Sequence, residues 1–271
     1  MKNYFLIFLF IPFAFSGNSP KQQEIQKKNK LAPKSILVGE ELTYVVKYSV
    51  MRLGEIKIKV TDKTVIDGKN YYSAVISINS YPSVPFVSLH QVYKTKMTPD
   101  YYSDYFKGSI KHDDYKAITE YFFDYDNKQV RIRKSRTDSA GYKIDSTTTV
   151  NKKYVDGLSI LFYAMMNVGQ NKNDKVPTFI NEKKEITEIN FENTTEDISI
   201  DPVDYDIDCV YLSGEVHFIS IFGLTGEFEG WFSNDFAAIP IKAKMKVLIG
   251  NITLELESWK MAGWTPPKYK D

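Results

Sequence analysis

The sequence is poor in three residue types that carry much of protein chemistry. Among 271 residues it has one cysteine, Cys209, which excludes an internal disulfide bond and a metal site built from several cysteines. Arginine occurs only four times, and the formal net charge is only +1. Because arginine is the usual reader of phosphate and guanine, we expect no nucleic-acid partner. The three histidines, His90, His112 and His217, lack the spacing of a zinc site.

Long hydrophobic runs are also scarce. Beyond residue 15 no segment approaches the roughly 18 consecutive apolar residues of a membrane span, so we expect no transmembrane segment in the mature chain. The one long run, residues 4–15, follows a basic start at Lys2 and precedes small residues around Ser16, which is typical of a secretory signal peptide. An uncleaved anchor is the alternative, but this run would span only about 18 Å of a hydrocarbon core about 30 Å thick.

These observations predict the location of the protein. We expect residues 1–16 to be a cleaved signal peptide and the protein to be exported, either periplasmic or secreted. No cysteine follows the apolar run, so we do not expect a lipoprotein.

The rest of the chain has the pattern of a single β-rich domain. Residues 17–35 are polar and are predicted to form a flexible spacer. Over residues 36–262, apolar and polar residues alternate in short segments bounded by turn residues, which is typical of antiparallel strands. Residues 263–271 are predicted to form a C-terminal tail. We therefore expect an all-β fold, with a strongly curved antiparallel sheet or a half-closed barrel.

One segment, near residues 156–168, departs from the strand pattern. It lacks period-2 alternation and is rich in good helix formers. Asp156 can cap its start and Gly169 can end it. Because the segment is apolar nearly all round, we expect one central helix that is buried against the curved sheet.

Two hairpins carry predictions of register. Around Asp67-Gly68, a three-residue loop would pair Val60 with Ile76, so that apolar residues of the two strands face each other. A two-residue loop would shift this pairing by one residue, so we expect the longer loop. Near the C-terminus, a two-residue turn at Gly250-Asn251 would pair Met245 with Leu256 and Lys244 with Glu257.

Acidic residues provide one candidate metal site. Asp204, Asp206 and Asp208 alternate with apolar residues, so a strand would place all three carboxylates on one face and bury Cys209 on the other. Such a face is usually solvated. The alternative is that the three carboxylates bind a hard cation such as Ca²⁺.

Aromatic residues suggest a ligand-binding surface. They make up 14% of the sequence, and strands favour them, so most need no functional reason. Residues 81–87 form an apolar loop suited to the rim of a barrel, while residues 218–224 are predicted to be a buried strand. The candidate ligand-binding residues are Tyr81, Phe86, Phe162, Tyr163 and Trp231.

Four short motifs follow one another along the chain. They are residues 39–44 (GEELTY), Gly54-Glu55, residues 156–163 (DGLSILFY), and residues 226–241 followed by 247–256, which together cover most of residues 36–260. Together these segments resemble the domain of unknown function 3108 family of bacterial exported proteins. The resemblance implies an envelope-located β-rich domain and supplies no catalytic residues.

The sequence leaves three functions open. The first is a non-enzymatic, carrier-type domain that binds an apolar or glycan ligand without a cofactor. The second is a structural or assembly factor that binds envelope proteins, and the third, least favoured, is an envelope hydrolase. A continuous apolar cavity between the sheet and the helix would favour the first.

Overall fold

A computed structural model of the protein describes residues 34–85, 88–247 and 250–270. The predicted signal peptide, and the predicted spacer up to residue 33, lie outside the described residues. These residues form one helix, α1 (Ser159–Asn167), and the following strands: β1 (Glu41–Tyr48), β2 (Met51–Ile66), β3 (Lys69–Ser80), β4 (His90–Met97), β5 (Ser103–Lys111), β6 (Lys116–Asp124), β7 (Gln129–Arg136), β8 (Tyr142–Thr149), β9 (Lys172–Ile180), β10 (Lys183–Ile198), β11 (Ile207–Val216), β12 (Leu224–Ser233), β13 (Pro240–Val247) and β14 (Asn251–Lys260).

All the strands belong to one antiparallel sheet of 14 strands, in the order β8-β7-β6-β5-β4-β3-β2-β1-β14-β13-β12-β11-β10-β9. Strands β1–β8 form one meander and β9–β14 form a second, and the pairing of β1 with β14 joins them. The sheet therefore ends at β8 on one side and at β9 on the other. The chain passes between these two edges through α1. The prediction of a mainly antiparallel, strongly curved all-β fold with one central helix is confirmed.

The core lies on the inner face of the sheet, against α1. Alternation in β2 buries Ile56, Ile58 and Val60, while Lys57 and Lys59 remain exposed or partly exposed. The thiol of Cys209 is also buried in this core, as predicted.

A short segment before α1 helps to hold the two meanders together. Val155 forms a parallel bridge to Thr178 of edge strand β9. On the other side, the backbone N–H of Ser103, at the start of β5, donates to the carbonyl of Tyr154 at 2.9 Å. The segment thus links the edge of the second meander to the interior of the first.

The register predicted for the β2–β3 hairpin is wrong. The turn contains only Asp67 and Gly68, both with positive φ (50° and 72°), as a type I′ turn requires. A register shift between Val60 and Asp62 then changes the phase, so that Ile58 pairs with Ile76. The two-residue turn is compatible with an apolar inner face because this bulge absorbs the extra residue.

The register predicted for the β13–β14 hairpin is also wrong. Met245 pairs with Ile252 and Lys244 pairs with Thr253. The backbone N–H of Val247 donates to the carbonyl of Gly250 and Asn251 pairs with Lys246, so Gly250 and Asn251 do not form the turn as predicted. The two registers differ by an even number of residues, so both keep the same side chains on the inner face.

The C-terminal segment packs against the domain. Lys268 forms a bridge to Ile207 at the start of β11, and the indole of Trp264 is buried. The Trp264 Nε1–H donates to Asp235 Oδ2 at 2.8 Å, which ties the segment to the turn before β13.

Candidate ligand-binding cavity

The curvature of the sheet brings inward-facing side chains from the two ends of the chain to one place. Tyr44 of β1 and Ile58 of β2 lie beside Leu254 of β14, since β1 pairs with both of these strands. Leu212 of β11 and Ala243 of β13 approach from the second meander. Period-2 alternation places all of these side chains on the same face of the sheet.

Helix α1 covers this concave face but does not fill it. A cavity of about 140 Å³ remains between the helix and the sheet. On the helix side it is lined by Ile160, Leu161 and Ala164, together with Gly157 before the first turn. The central helix therefore forms one wall of this cavity.

The wall of this cavity is almost entirely apolar. Its few polar side chains include Thr178 and Thr187, whose hydroxyls bond to each other at 2.8 Å. Lys242 also lines it, with its ammonium 3.6 Å from a carboxylate oxygen of Glu255. The hydroxyl of Tyr44 is buried and has no hydrogen-bond partner. Because an apolar surface interacts poorly with water, such a cavity suits a hydrocarbon group.

A second cavity of about 540 Å³ lies beside the first, over the inner face of the first meander. The buried rings of Tyr93, Phe106 and Tyr121 line it, together with Leu89 and Ile219, which are both exposed. It is more polar than the first, and it falls within the roughly 300–1,000 Å³ typical of ligand pockets.

The loop at residues 217–223, here called the partition loop, stands between the two cavities. Ser220 and Phe222 line both cavities, and so do Gly157 and Ile180. The loop turns back on itself, since the backbone N–H of Ser220 donates to the carbonyl of Leu224 at 2.9 Å. The amide of Asn181 donates to the carbonyl of Ile219 at 3.0 Å. The prediction of a buried strand at residues 218–224 is therefore wrong, because most of this stretch is a partly exposed loop.

A buried polar network fixes the start of α1. Asp156 is fully buried, and its Oδ2 accepts hydrogen bonds from the hydroxyls of Thr95 and Ser103, both at 2.6 Å. Its Oδ1 accepts from the backbone N–H groups of Leu158 and Ser159 at 2.7 and 2.9 Å. Burial raises the pKa of Asp156, while these four donors oppose the rise. The predicted capping role of Asp156 is thus joined to a second role, anchoring the helix to β4 and β5.

The other end of α1 is fixed from the N-terminal side of the domain. The ammonium of Lys34 donates to the carbonyl of Val168, where a cation complements the negative end of the helix dipole. Burial lowers the pKa of Lys34 to about 8. Gly169 follows with φ of 78°, consistent with its predicted role in ending the helix.

The aromatic residues proposed from the sequence do not line either cavity in the described part of the chain. Tyr81 lies partly exposed beside Arg52, with 3.3 Å between its hydroxyl and the guanidinium, and Phe86 lies outside the described residues. The Phe162 ring is buried in the core, and the Tyr163 hydroxyl donates to Asp174 at 2.8 Å. The indole of Trp231 donates to Glu196 at 2.7 Å, because Gly230 and Phe232 on either side take the inward positions.

The acidic candidates do not form a common site. Strand β11 begins only at Ile207, so Asp204 and Asp206 precede it in a loop. Asp206 accepts a hydrogen bond from Ser199 at 2.5 Å, and Asp208 accepts one from the amide of Asn234 at 3.0 Å. Within the described ranges, no three acidic, histidine or cysteine side chains come together as metal ligands.

The cavity-lining residues that were not predicted from the sequence are mostly aliphatic. Ile160, Leu161, Leu212 and Leu254 carry no chemical signature, and only the tertiary structure brings them together. The apolar run at residues 218–224 was a detectable signal, but it predicted a strand, whereas its apolar residues line the cavities mainly from a loop.

These features define a class of protein, namely a curved antiparallel β-sheet wrapped around a helix with an apolar cavity between them. The sequence model of the family described as "Protein of unknown function (DUF3108)" matches residues 43–257. The chain therefore belongs to this family, as the resemblance of its motifs indicated.

Comparison of structures supports the fold assignment. The crystal structure of a β-barrel-like protein of domain of unknown function DUF1849 from Brucella abortus aligns with a TM-score of 0.57 and 8% sequence identity. The alignment covers 85% of this chain and 100% of the other. A search of curated proteins finds no significant match. In the described part of the chain, no helix has the length and apolarity needed to cross a membrane.

Proposed function

We propose that the protein is an exported, carrier-type binding protein of the cell envelope that holds an apolar ligand between its curved sheet and α1. The observation that carries the proposal is the cavity of about 140 Å³ with its almost entirely apolar wall. Export rests on the signal-peptide pattern of residues 1–16.

The lining of the cavity favours an apolar ligand over a glycan. A glycan carries many hydroxyl groups, and each one buried without a partner costs free energy. The wall offers few free polar groups, since the hydroxyls of Thr178 and Thr187 already satisfy each other. A hydrocarbon chain would instead form van der Waals contacts with the apolar wall. Its binding would be favoured by roughly 25 cal/mol for each Å² of apolar surface removed from water.

The positions of the histidines favour binding over hydrolysis. His90, His112 and His217 are all exposed, and none lines either cavity in the described part of the chain. The His112 ring stacks on Tyr115 with 4.5 Å between the ring centroids, in the turn between β5 and β6. A histidine acting as general base has to lie within hydrogen-bond reach of its substrate.

A second candidate function is contact with another envelope protein. It is favoured by the turn between β1 and β2, where Val50 is 94% exposed and Tyr48 and Met51 are also exposed. Exposed apolar side chains that lie together are typical of interaction surfaces. Replacing Val50 and Met51 by serine would abolish such contact without changing the binding of an apolar ligand.

Native mass spectrometry of the mature chain, purified without detergent, tests the main proposal. We expect a copurifying apolar molecule, and displacement of a fluorescent fatty-acid analogue by unlabelled ligand. The variant Ala164→Phe places a ring in the cavity and should weaken binding of the analogue at least tenfold. Ala140→Phe, in the exposed turn before β8, is the matched control and should bind normally.

Two results would contradict the proposal. One is the absence of any bound molecule together with no binding of the analogue. The other is equal binding by the Ala164→Phe variant, the Ala140→Phe variant and the unmodified chain, provided that all three melt cooperatively. A copurifying oligosaccharide would show that the ligand is a glycan and not an apolar molecule.

A further inference from the structure

One residue that lines the apolar cavity carries a buried polar group without a partner. Tyr44 points inward from β1 and is only 4% exposed. Three buried side-chain polar atoms among the described residues lack a hydrogen-bond partner, and the Tyr44 hydroxyl is the one whose residue lines the 140 Å³ cavity. A buried hydroxyl without a partner is costly, so native structures usually provide one. A ligand bound in the adjoining cavity could supply such a partner.

The surroundings of Tyr44 show which end of the cavity is polar. Glu40 lies four residues earlier on the chain and is only 5% exposed. It lines a void of about 10 Å³ together with Ile58 and Leu161, two residues that also line the main cavity. Glu40 and Tyr44 therefore flank the same end of the cavity, next to Leu161 of α1.

The Tyr44 hydroxyl is uncharged, and the Glu40 carboxyl group readily takes up a proton and becomes uncharged. Burial, and to a smaller extent the nearby Glu40, raises the pKa of Tyr44 well above its usual value, so its hydroxyl stays protonated and can donate a hydrogen bond. Burial raises the pKa of Glu40 to about 7. The one lysine in the cavity wall, Lys242, is paired with Glu255. This end of the cavity therefore suits a neutral oxygen rather than a charged head group.

We propose that the Tyr44 hydroxyl recognises the polar end of the ligand, which is a single hydrocarbon chain carrying a neutral oxygen acceptor. Fatty alcohols, acyl esters and protonated fatty acids share this chemistry. The hydrocarbon chain occupies the space between α1 and the inner face of β11–β14, and its oxygen accepts the hydrogen bond from Tyr44. The inference rests on the proposed function and specifies its ligand class.

Competition binding with the mature chain tests the inference, with dodecanol and dodecane as probes that differ in one hydroxyl. A hydrogen bond to an otherwise unpaired group should make dodecanol about three- to tenfold the better competitor. The variant Tyr44→Phe should lose this preference and still bind dodecane as the unmodified chain does. Because the substitution removes an unpartnered hydroxyl, the variant should melt at the same temperature or higher.

Tyr93→Phe is the matched control. Tyr93 is also buried, but it lines the 540 Å³ cavity and its hydroxyl donates to Gln91 at 3.0 Å. This variant should keep the preference for dodecanol. Loss of the preference in Tyr93→Phe but not in Tyr44→Phe would place the polar end in the other cavity and overturn the inference.

The outcomes separate the inference from the proposed function. If the unmodified chain and Tyr44→Phe bind both probes equally, the Tyr44 hydroxyl contacts water only, and the inference fails while the proposed function stands. If Tyr44→Phe weakens both probes alike, the ring only packs, and the inference again fails. If neither probe competes with the fatty-acid analogue and the analogue itself does not bind, the proposed function fails.

Discussion

The side chain of Ile221 packs directly against the backbone of Gly157. A methyl group added at residue 157 would lie only 2.6 Å from Ile221 Cγ2. Gly157 precedes α1, and Ile221 lies at the tip of the partition loop. The glycine thus allows the loop to close against the start of the helix, which separates the two cavities.

We predict that Gly157→Ala displaces the partition loop. The clash involves the end of a side chain, so the free energy of unfolding should change by no more than about 1 kcal/mol. Loss of a contact worth about 0.5–1 kcal/mol should speed entry of the fatty-acid analogue about two- to fivefold, measured by stopped-flow fluorescence.

The control for this prediction is the same substitution in an Ile221→Ala background. There the methyl group has space, so Gly157→Ala should cause no further change in the entry rate. An additive effect of the two substitutions would show that the contact does not control entry.

We predict that Asp156→Ala strongly destabilises the protein. The substitution leaves the hydroxyls of Thr95 and Ser103, and two backbone N–H groups, without their acceptor, which should cost about 3 kcal/mol or more in urea unfolding. Asp156→Asn should cost less, because hydroxyl groups can rotate to accept from the new amide. Asp113→Ala, in an exposed turn, should change stability by less than about 0.5 kcal/mol.

We predict that stability falls as the pH rises through the titration of Glu40. Its pKa is raised from 4.5 to about 7 in the folded state, so the folded protein holds a proton that the unfolded chain releases between these values. The free energy of unfolding is therefore highest below about pH 4.5 and falls by up to about 3 kcal/mol as the pH approaches 7.

Glu40→Gln should remove this pH dependence and stabilise the protein at pH above about 7. Glu41→Gln is the control with the opposite sign, because hydrogen bonding and charge attraction from Lys260 lower the pKa of Glu41. Equal pH profiles for Glu40→Gln and the unmodified chain would contradict the prediction.

We predict that Cys209 does not react with thiol reagents in the folded protein. The residue is fully buried, and burial raises the pKa of its thiol, so the reactive thiolate is scarce. Labelling should become fast only in denaturant. A Cys209→Ala variant that carries Val50→Cys should label at once, since residue 50 is 94% exposed. Equal labelling rates for the two folded proteins would refute the prediction.

Secondary structure and burial were largely predictable from sequence. Period-2 alternation identified most strands, and the continuous apolar segment near residues 156–168 identified α1. Asp156 was identified as a cap but not as an anchor. Its partners Thr95 and Ser103 lie more than fifty residues earlier in the chain, and nothing in the local sequence indicates that they meet.

Strand registers were not predictable in the same way. An even shift leaves the same residues inside, so the apolar pattern of β13 and β14 fits several registers equally well. In the β2–β3 hairpin, the bulge between Val60 and Asp62 made a two-residue turn compatible with a pattern that seemed to exclude it.

The sequence by itself determined most of the strands, helix α1, the family and the burial of Cys209, because each depends on a local pattern or on short motifs. The tertiary structure alone decided which strands meet, how the sheet curves around α1, and that Tyr44, with its unpartnered hydroxyl, lines an apolar cavity. The physical reason is that alternation specifies which face of a strand is buried. It does not specify how much space the curved sheet leaves beneath that face.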